Sequence, residues 1–346
     1  MTRQLILHIG DCKTGSTSIQ NMIAGEDVRV EGLRLFTPGA GNHGGLARSL
    51  GDRPHLYPQR WERAARRVTE EAADLSILSS ELFEFIAPNA VLRALETHFP
   101  GQIDALRVVV YVRPHLARVL SQFAENVKLG HSMGNLADFV HKFLADKRLE
   151  YNARMARWHA VFGDRLVVRP FVRNKLAEGD VRNDFMSVIA EGRPYSIGTA
   201  EPDNNASLGV PDLAMMRYLQ GILDTVENIK PDSRVAFGKY LGRLLHTHQS
   251  TRDRQKLRLT EELYALLLNA CAADAAAMDD IWFGEPCFSI ELERGGDSLV
   301  PSLQSLRAED YFDVETLRQA RVWMDFSLRQ MSVLGEGFTK ALNRPG

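Results

Sequence analysis

The first half of the chain predicts an α/β fold, a central parallel sheet flanked by helices, and the remainder predicts a helical C-terminal extension. Three observations carry this expectation. Short β-branched runs alternate with longer amphipathic stretches from Gln4 to Pro170. The runs Leu5-Ile-Leu-His-Ile9 and Val108-Val-Val-Tyr-Val112 are apolar nearly throughout, as strands buried on both faces must be. From Pro211 onward such runs stop, and Leu213, Met216, Leu219, Leu223 and Val226 recur at helical spacing.

In chain order, Gln4–Ile9 is expected as the first strand. A glycine loop follows, and then a helix whose Ile19, Met22 and Ile23 share one face. Leu33–Phe36 reads as a second strand, and the Gly/Pro/His-rich segment Thr37–Gly45 as a loop. A helix over Arg60–Ala73 leads to the strand Leu75–Ser79. Arg107–Val112 is too short for a helix and is expected as a buried strand, ended by Arg113-Pro114. In the next helix, Leu116–Lys128, Leu116, Val119, Leu120, Phe123 and Val127 form one apolar stripe, and Ser121 points away from it. Leu166–Pro170 is a further strand and Glu191–Ser207 a loop. Glu261–Met278 and Val314–Leu334 are expected helices, with an irregular segment over Ile281–Pro301. The expected organisation is a core over residues 1–210 with a mainly helical extension over 211–346 packed on it as one domain. No internal repeat or linker interrupts it.

Composition narrows the function classes. The chain has 346 residues, 45% hydrophobic and 25% charged, with a formal net charge of −2. That balance offers no drive toward nucleic acid or an anionic membrane surface. Its three cysteines, Cys12, Cys271 and Cys287, are irregularly spaced, so neither a disulfide framework nor a zinc pattern follows. A strand starting within a few residues of Met1 leaves no place for a signal peptide, and no apolar run approaches membrane-spanning length. A cytoplasmic protein is expected. Oligomeric state is not readable from the sequence.

The chemistry concentrates in Gly10-Asp-Cys-Lys-Thr-Gly-Ser-Thr17. Gly10 and Gly15 have the spacing of a nucleotide P-loop, and Thr17 occupies the place of its final hydroxyl residue. The lysine that should precede Thr17 is replaced by Ser16, and Lys13 lies inside the loop instead. A strand–glycine–helix junction binds anions through unpaired amides and the positive end of the helix dipole. Lys13, Thr14, Gly15, Ser16 and Thr17 are the candidate anion-binding residues.

The run His8-Ile-Gly-x-x-Lys-Thr-Gly-Ser-Thr-Ser-Ile-Gln20 resembles the 5′-phosphosulfate loop of sulfotransferases that use 3′-phosphoadenosine 5′-phosphosulfate (PAPS), in their bacterial, soluble branch. The resemblance implies a second motif, a strand-ending Arg and a Ser one to two helical turns later on the donor's 3′-phosphate. Arg113 and Ser121 stand in that relation. Arg suits the task because its planar fork binds two phosphate oxygens. Phe171–Asp180, Asn183–Phe185 and Asn204–Leu208 look like further, less specific segments of the same family. The resemblance implies PAPS as co-substrate, in-line transfer of a sulfuryl group, and no metal, because the transferring group carries fewer negative charges than a phosphoryl group. Lys13 would stabilise the leaving phosphate.

An acceptor hydroxyl needs a general base. Glu81, following the strand Leu75–Ser79 at the end where open α/β sheets place ligands, is one candidate. His43, in Gly39-Ala-Gly-Asn-His-Gly-Gly45, is the other. His8 reads as a packed, hydrogen-bonded residue that shapes the loop. The acceptor, whether glycan, lipid-linked sugar, small alcohol, phenol or amine, is not indicated. A P-loop kinase or NTPase and a non-catalytic nucleotide-binding module are the alternatives.

Overall fold

A computed structural model describes residues 3–25, 28–132, 134–198, 208–226, 229, 231–248 and 255–334. The first half runs β1 (Gln4–His8), α1 (Ser16–Ala24), β2 (Arg29–Val30), β3 (Leu35–Phe36), α2 (Gly44–Ser49), α3 (Gln59–Glu71), β4 (Leu75–Ser79) and α4 (Pro88–His98). It continues with β5 (Leu106–Val112), α5 (His115–Lys128), α6 (Leu136–Ala145), α7 (Tyr151–Phe162), β6 (Leu166–Pro170), α8 (Val181–Ala190) and β7 (Tyr195–Ser196). The second half is helical: α9 (Val210–Asp224), α10 (Pro231–Thr247), α11 (Glu261–Ala277), α12 (Phe288–Arg294) and α13 (Val314–Leu334).

Five strands form one parallel sheet in the order β3-β4-β1-β5-β6. The fold is therefore α/β with a parallel sheet flanked by helices. The physical reason is the one visible in the runs: Leu5, Ile6, Leu7, Leu75, Leu78, Val108, Val109, Tyr111 and Val112 have no exposed surface. Each such large side chain contributes about 1.5–3 kcal/mol on burial. β1 is central, between β4 and β5, so the loop leaving its C-terminal end stands at the middle of the sheet's carboxyl edge.

The expected strands all form, two with the expected ends and three with one end shifted by one or two residues. Two short helical elements were not expected. α2 begins inside the segment read as a loop, and α12 lies inside the segment read as irregular. Neither sequence carries a long apolar period, and α2 spans six residues. The segment 204–207, within a family-like stretch, lies outside the described residues.

The chain divides into two compact units. One comprises Met1–His115, Leu149–Asp203 and Cys271–Glu293; the other comprises Leu116–Arg148, Asn204–Ala270 and Arg294–Gly346. This division is interleaved along the chain. The first unit is built on the sheet, with a core in which Ile6, Ile19, Ile77, Val109 and Phe185 pack together. In the second, Leu219, Leu223, Phe237 and Met324 form a helical core. Among the described residues no helix is long and apolar enough to cross a membrane.

Candidate functional site

The loop between β1 and α1 takes its shape from three left-handed residues, Gly10 (φ 39), Lys13 (φ 70) and Gly15 (φ 75). Both glycines are also required by space. A Cβ on Gly15 would lie 2.8 Å from Val181 Cγ1 and 3.2 Å from the Phe171 ring, and one on Gly10 would lie 2.7 Å from Ser16 Oγ. Lys13 has no such exemption. A side chain in this conformation costs roughly 1 kcal/mol, and strain of this kind concentrates at binding sites.

The loop is tied down on several sides. Ile9 and Asp11 still donate their amides to Val109 and Tyr111 of β5. Thr14 Oγ1 donates to the Asp11 carbonyl at 2.6 Å, and Ser16 Oγ to the same oxygen at 3.4 Å. The Cys12 amide donates to Glu84 Oε2 at 3.0 Å. Arg154, from α7, spans both carboxylates beneath the loop, with Nη2 2.6 Å from Asp11 Oδ2 and Nη1 2.9 Å from Glu84 Oε1. Asp11 is 1% exposed and the Glu84 side chain is fully buried. Arg113, at the end of β5, donates Nη1 to the Lys13 carbonyl at 2.8 Å, and its guanidinium lies over the Phe171 ring at 5.7 Å.

α1 starts with Gly15 as its N-cap, which has no side chain to cap the first-turn amides. Ser16 is buried, Thr17 exposed, and Lys13 half-buried. The corner after Arg113 is fixed by His115, whose Nε2 bonds Asp274 Oδ2 at 2.9 Å, while Asp274 Oδ1 accepts the Asn152 amide. Ser121 is half-buried on α5 and belongs to the second unit.

The two base candidates have different surroundings. Glu81 opens a short turn of 3₁₀ helix capped by Ser80, whose hydroxyl accepts from the Leu82 amide. It is half-buried, and its Oε2 accepts from Gln20 Nε2 at 3.1 Å. His43 is buried. Its Nδ1 accepts the Ser79 amide at 3.0 Å, and its Nε2 bonds the Pro38 carbonyl at 2.7 Å. An amide must donate and a carbonyl must accept, so the ring is the neutral Nε2–H tautomer with its one basic lone pair taken. Burial, opposed by these backbone bonds, lowers its pKa. With the Ser79 amide on Nδ1 and the Pro38 carbonyl on Nε2, the ring braces the 38–44 segment against β4.

His8 is fully buried, with Nδ1 2.8 Å from Ser79 Oγ and its ring edge-on to Tyr111. Burial pushes its pKa down to about 3, so it is neutral, and its Nε2 has no partner. That nitrogen would lie 3.5 Å from a Cβ on Gly10. His8 is thus the packed residue behind the loop that the sequence suggests.

Asp11, Gln20, Asn42, Glu84 and Arg154 carry no role in a reading of the sequence alone. Arg154 sits 143 residues from its partner Asp11, on a helix with no motif of its own. The one usable signal was Gln20, one helical turn beyond Ser16 on the face of α1 that turns inward. Among the described residues no group of three or more His, Cys, Asp or Glu is arranged to hold a metal ion.

No family model matches this chain, and no curated protein matches it. Among solved structures it is similar to the crystal structure of a sulfotransferase from Alicyclobacillus acidocaldarius. The identity is 14% over 82% of this chain and 97% of that chain, with a TM-score of 0.41.

Proposed function

We propose that the protein is a sulfotransferase that takes a sulfuryl group from PAPS and delivers it to a hydroxyl or amine acceptor, a glycan, lipid-linked sugar or small molecule. The observation that carries the reading is the meeting of two motifs 100 residues apart in sequence, through the Arg113–Lys13 hydrogen bond. The residues fit such a donor. The loop combines a cation, glycines that let backbone approach a ligand, and an uncapped helix N-terminus suited to anionic oxygens.

In this reading Lys13, Thr14, Gly15, Ser16 and Thr17 hold the 5′-phosphosulfate, and Arg113 holds the 3′-phosphate. Ser121 joins Arg113 on the strength of its sequence motif. The acceptor oxygen forms a bond to sulfur as the bond from sulfur to the 5′-phosphate oxygen breaks. Lys13 and the α1 amides stabilise the charge arriving on that phosphate. Glu81 takes the acceptor's proton. The products are a sulfated acceptor and 3′-phosphoadenosine 5′-phosphate. No step is routed through a metal, since the sulfuryl group presents less charge to neutralise than a phosphoryl group.

Titration calorimetry with 3′-phosphoadenosine 5′-phosphate, against ATP with Mg²⁺, tests the donor. Tighter binding of the 3′-phosphorylated nucleotide is expected. Preference for Mg²⁺-ATP would sink the proposal in favour of phosphoryl transfer. A screen of acceptors with radiolabelled PAPS then identifies the substrate class.

A further inference from the structure

Gln20 is 4% exposed, and both ends of its carboxamide are engaged. The direction of the chain it belongs to is set by a group that cannot reverse. The Gly44 amide, at the first position of α2, donates to Asn42 Oδ1 at 2.8 Å. Asn42 therefore presents Nδ2 on its other side, which donates to Gln20 Oε1 at 2.8 Å. Gln20 in turn presents Nε2, which donates to Glu81 Oε2 at 3.1 Å and to Ser79 Oγ at 3.4 Å. A backbone N–H thus orients two side-chain amides in series, and the series ends on the carboxylate. The segment that starts it is pressed onto α1 at the same residue: a Cβ on Gly41 (φ 79) would run into the Gln20 carbonyl oxygen.

From this relay we infer that Gln20 is a positioning residue for sulfuryl transfer: it fixes the Glu81 carboxylate toward the acceptor and, through Asn42, makes that orientation depend on the docked 38–44 segment. The inference rests on the reading of Glu81 as the base. A half-buried glutamate at the start of a short helical turn has several rotamers available, and a base loses efficiency when it must find its orientation during the reaction. With Oε2 committed to Gln20, Oε1 is the oxygen that meets the acceptor proton. The donor is a neutral amide, so it orients the carboxylate without surrendering a proton to it. Ser79 serves as the backstop. Its hydroxyl lies within reach of both Gln20 and the buried, neutral His8, which holds the amide in one plane.

The test uses the full chain with glutamate labelled at the carboxyl carbon, and NMR at neutral pH. The Glu81 resonance is the one lost in Glu81→Gln. Gln20→Met keeps the length and bulk of the side chain and removes all three of its side-chain hydrogen bonds. The Glu81 resonance is expected to move toward that of a solvated glutamate. Release of sulfate from radiolabelled PAPS, with water as acceptor, should fall on the order of 10–100-fold in kcat with the KM for PAPS little changed. Asn42→Ala, at an exposed position, should move the same resonance in the same direction by less, and it covers the case in which Gln20→Met does not fold. An unmoved Glu81 resonance in folded Gln20→Met or Asn42→Ala overturns the proposal. So does a rise in KM that matches the fall in kcat. If Glu81→Gln itself retains full transfer, the base reading fails and the proposal goes with it. Loss of transfer in Glu81→Gln with none in Gln20→Met refutes the positioning role alone.

Discussion

Arg154→Met removes the cation shared by Asp11 and Glu84 while keeping aliphatic bulk beside the Tyr151 ring, over which the guanidinium sits at 5.3 Å. Both carboxylates are buried and the Arg154 side chain is 12% exposed, so solvent screening is small. Removing one partner of such a buried network costs about 3–5 kcal/mol. An independent bound gives a similar figure. A carboxyl that loses its cation can take up a proton instead, and at neutral pH protonating an ordinary carboxylate costs about 4 kcal/mol. The deficit should therefore shrink in acid. The variant's folded state gains protons at a pH where its unfolded state has not, so its stability relative to the unsubstituted protein improves as pH falls, by up to about 1.4 kcal/mol per unit. Urea unfolding of both proteins at neutral and mildly acidic pH measures the difference. A deficit below about 1 kcal/mol, or one that does not change with pH, refutes the electrostatic account of the anchor.

The other predictions concern the site itself. Lys13→Ala should lower transfer far more than binding of 3′-phosphoadenosine 5′-phosphate, since the charge matters most as the leaving phosphate develops. Lys13→Gly should lose transfer equally while being more stable than the alanine variant by roughly 1 kcal/mol, because glycine accepts the positive φ, and chemical denaturation compares the two. Arg113→Ala should weaken binding of that nucleotide by on the order of 2–4 kcal/mol, and the loss should vanish when the ligand lacks its 3′-phosphate, as calorimetry with the two nucleotides will read. His8 and His43 are held neutral by burial, with folded pKa values below the unfolded one. The stability they contribute is present above about pH 6.5 and is lost as pH falls toward the folded pKa, by up to about 1.4 kcal/mol per unit for each. His43→Gln should flatten that slope in a pH series of unfolding curves.

The sheet was legible because its strands are buried on both faces: a run such as Val108–Val112 has no helical period to compete with the strand reading. The loop was legible because Gly10 and Gly15 mark backbone that other residues cannot adopt in the space available. What the sequence hid falls into two kinds. Arg154 and Glu84 act on the loop from elements far along the chain, and no spacing rule connects an ion pair across that separation. The other kind is local, the packing around His43. Its glycine neighbours let the chain fold tightly enough for the Pro38 carbonyl and the Ser79 amide to take both ring nitrogens. The same tightness brings Asn42 to Gln20, so the segment that carries His43 also supplies the first link of the relay to Glu81.

Lys13 shows how these pieces bear on one another. A glycine at its position would adopt φ 70 without strain, yet the chain keeps a lysine there. The strain is sustained from outside the residue, by Arg113 on its carbonyl, by Glu84 on the neighbouring Cys12 amide, and by Arg154 on Asp11. These contacts fix the backbone before any ligand arrives. In the proposed transfer, a loop held in this way need not reorganise when charge moves onto the leaving group, and that is the condition under which a single cation is worth most. The displaced lysine and the distant anchors are therefore two halves of one arrangement. The anchors hold the backbone in the left-handed conformation at which the sequence places its loop lysine, three residues before the P-loop position.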